Sequence, residues 1–320
     1  MLDVINLALP FFGLIFLGYA SGKFRKLPDT GMAWMNFFII YIALPVLFYR
    51  ILAKTPLQDL ANPRFIVATT AATFLAFVLA FAAAMILRRC RIPQATIAGM
   101  AGAYGNIGYM GPGLAFAVLG TEAAVPIALI FCFDNILLFS LVPFFMALAG
   151  AGGRGLGATV LDVVRRIVLH PFIIATAAGV LAAAFQIQLP VALDRLMEFL
   201  QNAAAPCALF ALGVTVALRP LQQVPWEVPM VIIVKLFLHP AIVLLLLTVL
   251  GPLPPTWVYA AVLMAALPPA LNVFILARQY DVWVPQASSS VLLGTLMSVV
   301  TLTATMWLVK TGILPHSLWP

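Results

Sequence analysis

Charge is what this chain has least of: only 8% of its 320 residues are Asp, Glu, Lys or Arg. A soluble domain dresses its surface with roughly 25% charged residues, so a water-soluble globule of this size is excluded. Histidine and cysteine are scarce too, at three residues each. Cys90, Cys132 and Cys207 show no metal-ligand spacing, and two of them fall inside apolar segments. They read as small core residues, with no disulfide and no metal site expected. No His-Glu-x-x-His, Gly-x-Ser-x-Gly or Walker stretch occurs, so the marks of zinc peptidases, serine hydrolases and ATP-driven pumps are missing. The start, Met1-Leu2-Asp3-Val4, lacks the basic region of a signal peptide, so the first apolar segment is expected to stay as a span.

What the chain does have is apolar length: 64% hydrophobic residues and a mean hydropathy of +1.12. A helix needs about 20 apolar residues to cross a bilayer. Ten such spans can be drawn, at 4–22, 32–52, 65–88, 95–119, 123–149, 165–187, 197–218, 226–250, 257–280 and 286–309. The expected class is therefore an all-α integral membrane protein. The net charge of +7 does not point to nucleic acid, because the basic residues gather at span ends. The loops after odd-numbered spans hold eleven of them: Lys23, Arg25, Lys26, Arg88, Arg89, Arg91, Arg154, Arg165, Arg166, Arg219 and Arg278. The opposite side holds five, Arg50, Lys54, Arg64, Arg195 and Lys310, and Lys235 lies within span 8. Positive-inside bias then puts both termini outside the cytoplasm.

The two halves repeat. Pro10, Pro28, Pro45, Pro93 and Pro126 are answered by Pro171, Pro190, Pro206, Pro255 and Pro285, at offsets between 159 and 162. Five spans per half make the second copy enter from the opposite face, an inverted repeat of the kind secondary transporters use. The expected division is a first repeat over 1–149, a Gly-rich cytoplasmic linker over 150–164 and an inverted second repeat over 165–320.

In that register two helix-breaking clusters coincide. Span 4 carries Tyr104-Gly-Asn-Ile-Gly-Tyr-Met-Gly-Pro-Gly113, and span 9 carries Pro268-Pro269-Ala270-Leu271-Asn272, with Asn106 opposite Pro268. Glycine costs up to about 1 kcal/mol in a helix and proline about 3, so both spans are expected to break. Backbone opened at membrane depth persists only inside protein or beside a watery cavity, and paired breaks in matching positions point to a transporter's binding site. A half-helix starting after a break offers free N–H groups and a positive dipole end, suited to an anion. Asn106 and Asn272 can both donate and accept there.

Buried charge adds a second element. Asp134-Asn135 lies in the middle of span 5, where a carboxylate costs about 3 kcal/mol on insertion scales and is functional by default. Asp134 can carry a coupling proton or, with Asn135 and open carbonyls, hold sodium. Lys235, in span 8, can pair with Asp134, attract an anion or snorkel to the interface. His239-Pro240 follows one turn later and, like His170-Pro171, can cap a freed carbonyl. Ser289 and Ser290 can line the pocket from span 10 or bond back to their own helix. Arg278 and Asp281 read as interfacial.

The stretch Ala265-Ala-Leu-Pro-Pro-Ala-Leu-Asn-Val-Phe-Ile-Leu-Ala-Arg-Gln-Tyr280, followed by Val284-Pro285 and Ser289-Ser-Val-Leu-Leu-Gly294, resembles spans 9 and 10 of the auxin efflux carrier family. Gly105-Asn-Ile-Gly-Tyr-Met-Gly111 is similar to its bacterial, malonate-transporter-like branch. Nearly the whole chain takes part in the resemblance. It implies a PIN-like, bile-acid-symporter-like fold: ten helices in two inverted five-helix repeats, with crossover helices 4 and 9. Spans 1, 2, 6 and 7 would be the scaffold, and spans 3–5 with 8–10 a moving transport domain. Substrate would bind at Gly105, Asn106, Gly108, Tyr109, Asn135, Pro268, Pro269 and Asn272. Asp134 would couple, and Lys235, His239, Ser289 and Ser290 would be secondary candidates. Plant members carry Asn-Pro-Asn at the first crossover, whereas Gly105 precedes Asn106 here, and the long hydrophilic central loop is missing. Both departures favour a small bacterial metabolite over auxin.

The expected function is therefore secondary transport of a small organic anion across a bacterial inner membrane. The expected partners are that anion and the lipid bilayer, and no cofactor is needed beyond a coupling proton or sodium ion. The resemblance is compatible with a homodimer. A passive anion channel shares the open backbone but lacks a filter motif, and an intramembrane enzyme lacks any catalytic constellation.

Overall fold

The computed structural model describes residues 2–25, 29–56, 62–150, 161, 164–165, 168–218, 225–251 and 253–315. Most of the expected linker over 150–164 lies outside the described residues, as do Leu27, Pro28, Lys26, Arg154, Arg166 and Arg219. Among the described residues the chain is helical apart from one isolated bridge. Each apolar segment drawn from the sequence forms helix. Among the described residues, six helices are long and apolar enough to cross a membrane: Gly31–Ala53, Pro63–Arg88, Thr121–Leu148, Val191–Leu218, Glu227–Val249 and Val284–Lys310. Leu9–Phe24, Pro171–Ala184 and Pro255–Ala265 are shorter apolar helices.

Span 4 breaks into Ile92–Ala103 and Gly111–Leu119, and span 9 into Pro255–Ala265 and Leu271–Tyr280. Spans 2 and 8 stay helical throughout. Each carries a π-helical turn, Phe38–Ala43 and Val234–Leu238, running into Leu44-Pro45 and His239-Pro240. Proline has no N–H for the carbonyl four residues back. The π-turn shifts the ladder by one residue just ahead of it, so Leu44 bonds to Ile39 and His239 to Val234.

Contacts divide the chain into two compact units. The first comprises Met1–Asn62, Gly108–Cys132 and Val168–Pro220, and the second Pro63–Ile107, Phe133–Ile167 and Leu221–Pro320. Each unit draws on both halves of the sequence, and the boundaries cut through spans 4 and 5 instead of falling between spans. The broken backbone explains the first cut. Gly111–Leu119 packs on spans 1 and 7, where a Cβ on Gly113 would sit 2.9 Å from Ala205 and 3.3 Å from Phe11.

In the first unit, spans 1 and 7 meet backbone to backbone. A Cβ on Gly213 would lie 2.0 Å from the Ile15 carbonyl oxygen, and one on Gly18 would lie 2.1 Å from that of Phe210. Gly18-Tyr-Ala-Ser-Gly22 on one side and Gly213-Val-Thr-Val-Ala217 on the other are the small-xxx-small patterns that allow this approach. Span 2 packs on span 6 through an aromatic cluster in which Phe131 stands 4.9 Å from Phe48 and 4.6 Å from Phe172. At the end of span 2, Arg50 forks onto Asp194 at 3.1 and 3.0 Å and donates to Gln201 at 2.9 Å. In the second unit, span 3 packs against Ile92–Ala103 and span 8.

Candidate functional site

The proline pair of span 9 organises the second unit. In a continuous helix the N–H groups of residues 268 and 269 would bond the carbonyls of Met264 and Ala265. Prolines supply neither. Leu267 N–H takes the Met264 carbonyl at 3.4 Å. The Ala265 carbonyl instead accepts from the ammonium of Lys235, reaching across from span 8. Lys235 is 0% exposed, so it does not snorkel. Its charge sits at the negative dipole end of Pro255–Ala265, where a cation is favoured.

The two breaks then close partly on each other. Asn106 N–H donates to the Pro268 carbonyl at 2.8 Å, and Ala270 N–H to that of Tyr104 at 3.0 Å. The result is a single antiparallel bridge, Gly105 to Pro269. Sequence reasoning left these peptide groups open. The structure satisfies several by pairing one break with the other, which buried backbone demands. The residues placed opposite each other by the repeat register are thus bonded. Gly105 suits this close approach, since a Cβ would stand 3.1 Å from the Met264 carbonyl and 3.3 Å from Lys235 Nζ, tight contacts that the neighbours would have to yield to. Span 10 presses on the same place, because a Cβ on Gly294 would fall 2.5 Å from Pro269 Cδ.

Around the bridge lie two polar groups of residues. In the first, the Tyr104 hydroxyl donates to Asn135 Oδ1 at 2.5 Å and accepts from Asn272 Nδ2 at 3.3 Å. Asn272 is half-buried in the first turn of Leu271–Tyr280, beside N–H groups that no side chain caps. The second runs through Lys235 Nζ and His239 Nδ1 at 3.0 Å, His239 Nε2 and Thr73 Oγ1 at 3.3 Å, and a hydrogen bond between Thr73 and Asp134. Lys235 acts on Asp134 electrostatically. Asp134 and Asn135 therefore serve different groups, as neighbours about 100° apart around a helix must.

Six buried polar atoms of this unit have no hydrogen-bond partner among the described residues, Thr70 Oγ1, Arg88 Nε, Asn106 Nδ2, Asp134 Oδ1, Trp283 Nε1 and Ser290 Oγ, and three of them, on Asn106, Asp134 and Ser290, belong to predicted site residues. Buried polar atoms are normally paired, and exceptions call for an explanation. Ser290 does not bond back to its own helix, and it shares a face with Gly294 at the span 9 break. Ser289 is 7% exposed on the same helix.

The structure brings Gly105, Asn106, Asn135, Pro268, Pro269, Asn272, Asp134, Lys235, His239 and both serines into one unit. It assigns Gly108 and Tyr109 to the other, where Gly108 faces Phe131. The chain passes between units at Ile107–Gly108, in the turn between the half-helices. His170 accepts from the Phe172 N–H at 3.4 Å, capping an amide where a carbonyl was expected, whereas the His239 ring stands between Lys235 and Thr73. Arg278 and Asp281 are exposed. Sequence reasoning missed Tyr104 and Thr73. Tyr104 stood at the edge of the span 4 cluster and was readable as its last residue before the break. Thr73 carried no mark, because helical threonines usually bond back to their own helix, as Thr69 does to Phe65.

The family described as "Membrane transport protein" matches residues 3–155 and 158–307. The chain is also 48% identical, over 320 residues covering all of both chains, to a protein of Rhizobium meliloti (strain 1021) named "Putative malonate transporter".

Proposed function

The chain belongs to the auxin efflux carrier family of membrane transport proteins, and from that premise we propose that it is a secondary carrier for a small organic anion, malonate-like dicarboxylates first. It is a multi-pass membrane transporter and not an enzyme. One observation carries the anion reading. Asn272 and uncapped N–H groups begin the half-helix Leu271–Tyr280, while the Lys235 ammonium lies at the same bridge and Asn106 Nδ2 is buried without a partner. Positive dipole, positive charge and spare donors together favour a carboxylate. The relative's name supports malonate as the first substrate to try.

We propose alternating access between a scaffold built on spans 1, 2, 6 and 7 and a transport domain carrying the bridge. Ten spans in two inverted repeats, both termini outside the inner membrane, complete the reading. The bonded register mates Asn106 and Pro268 support it, as do Pro93 and Pro255, each of which starts a half-helix. For coupling we favour a proton on Asp134 over sodium. Asn135 is committed to Tyr104 and the Ala265 carbonyl to Lys235, two oxygens a sodium site beside Asp134 would use.

Proteoliposomes holding the full chain should accumulate labelled malonate against its gradient when a proton gradient is imposed. Flux that only equilibrates would move the reading to a channel. Asn106→Ala and Asn272→Ala should each weaken malonate binding by about tenfold or more, the loss expected of a hydrogen bond to a charged group. Unchanged affinity in both would remove the site.

A further inference from the structure

Thr73 and His239 have no part in holding an anion, yet they join the two intramembrane charges. Lys235 as an ammonium has donors only. His239 Nδ1, 3.0 Å away, must then accept, which leaves the ring proton on Nε2. Nε2 in turn faces Thr73 Oγ1 at 3.3 Å, and the Thr73 hydroxyl is bonded to Asp134. Every hydrogen bond in the row points from Lys235 toward Asp134. Spans 3, 4, 9 and 10 pack against span 8. Their other titratable side chains are Arg64, Arg88, Arg278, Tyr280 and Lys310 at helix ends, Tyr109 in the break of span 4, Tyr259, bonded to the Leu314 carbonyl, and Tyr104, bonded to Asn135. Among the described residues, Asp134 and His239 are the titratable groups that act on Lys235.

We propose that Thr73 and His239 form a proton relay that moves one proton between Lys235 and Asp134, and so switches the positive charge at the helix crossing on and off. In the forward step a Lys235 Nζ–H bond breaks and a His239 Nδ1–H bond forms. The His239 Nε2–H proton passes to Thr73 Oγ1, and the original Thr73 hydroxyl proton passes to Asp134. Lysine ends as a neutral amine and aspartate as a neutral acid, while the imidazole is neutral in its other tautomer and threonine is unchanged. Net charge is conserved and all three hydrogen bonds reverse. The charged state holds the Ala265 carbonyl and an anion. The neutral state loosens both, and is the state in which the empty site reorients. Asp134 Oδ1, without a partner among the described residues, is where the pair exchanges its proton with solution: the acid releases the relayed proton after the forward step, and the aspartate takes one up before the reverse step returns it to Lys235. The relay rests on the carrier reading above and assigns Thr73 and His239 as positioning residues for proton movement.

The full chain reconstituted in liposomes with isotopically labelled histidine tests this by solid-state NMR. The chain has three histidines, so the His239→Gln spectrum identifies the signals of His239. The expected result is a neutral ring exchanging between Nε2–H and Nδ1–H forms, with malonate raising the Nε2–H share and Asp134→Asn leaving only that form. A ring fixed in one tautomer in both the wild-type chain and Asp134→Asn, or doubly protonated throughout, overturns the relay. The second arm is labelled malonate uptake against pH. The wild-type chain should change by about tenfold per pH unit on one limb, the slope of one titrating proton. His239→Gln and Thr73→Val should flatten that slope, and Thr73→Ser should restore it. A wild-type slope in both His239→Gln and Thr73→Val overturns the proposal. If the wild-type chain takes up no malonate, the substrate reading fails by itself, and the tautomer measurement in the wild-type chain, which needs no substrate, still decides the relay.

Discussion

The two compact units are stabilised by opposite means. Among the described residues, Arg50 and Thr55 are the buried polar side chains of the first unit, whereas the second buries Thr69, Thr73, Thr96, Asn106, Asp134, Asn135, Lys235, His239, Thr248, Ser289, Ser290, Thr295 and Ser298. The first is closed by glycine-allowed backbone contact and a cluster of tilted and edge-on phenylalanines. The second is held around broken helices by hydrogen bonds that must each find a partner. Dispersion between backbones in van der Waals contact has one good arrangement and resists deformation. A polar group with spare donors and acceptors can trade partners at small net cost. Rigid frame and adjustable site are thus separated by the type of force that holds each of them.

This contrast can be broken in graded ways. Lys235→Met should cost the most, about 3–5 kcal/mol, because it strands both Asp134 and the Ala265 carbonyl. Thermal melting of the purified protein checks it, and a Lys235→Met, Asp134→Asn double variant should recover part of the loss. Gly213→Val comes next, at about 3 kcal/mol, from overpacking against Ile15 and Tyr19. It should lower the melting temperature and the yield of monodisperse protein together. If Gly213→Val melts like the wild-type chain, the frame is not held as described.

Tyr104→Phe separates the site from the frame. It removes the hydroxyl linking Asn135 and Asn272, so malonate affinity should fall by about tenfold while stability changes by about 1–2 kcal/mol. Calorimetric titration beside a melt distinguishes the two effects. Gly294→Ala should cost about 1 kcal/mol and slow uptake more than it weakens binding, since the methyl group pushes Pro269 and the bridge. Smallest of all is Lys54→Ala. Its ammonium stands 3.8 Å from Asp194 with 66% of the side chain exposed, and such pairs contribute about 0–1 kcal/mol. A melt indistinguishable from wild type is the expected outcome.

Much of this architecture was legible in the residues. Runs of apolar residues marked where the helices lie, missing the starts at Pro171 and Val191 by six residues each, and Pro268-Pro269 and the glycines after Tyr104 marked both breaks. Asp134 and Lys235 were visible as charges with nowhere polar to go. Partnerships were not legible. That Asn135 faces Tyr104 while Asp134 faces Thr73 depends on the rotation of one helix. That Gly108 and Tyr109 leave Asn106 for the other unit depends on a turn whose direction no composition encodes. The π-turns before Pro45 and Pro240 are likewise the ladder's answer to a missing N–H, and one of them carries Lys235.

The sequence by itself determined a membrane solvent, helical segments and two places where the helices fail, because lipid, apolar length and the missing N–H of proline act locally along the chain. Only the tertiary structure decided that the failures repair each other across Gly105 and Pro269, with Lys235 completing the repair. Each break leaves carbonyls and amides that no residue nearby in sequence can satisfy, so their partners had to come from about 160 residues away or from another span, as burial requires of every polar group.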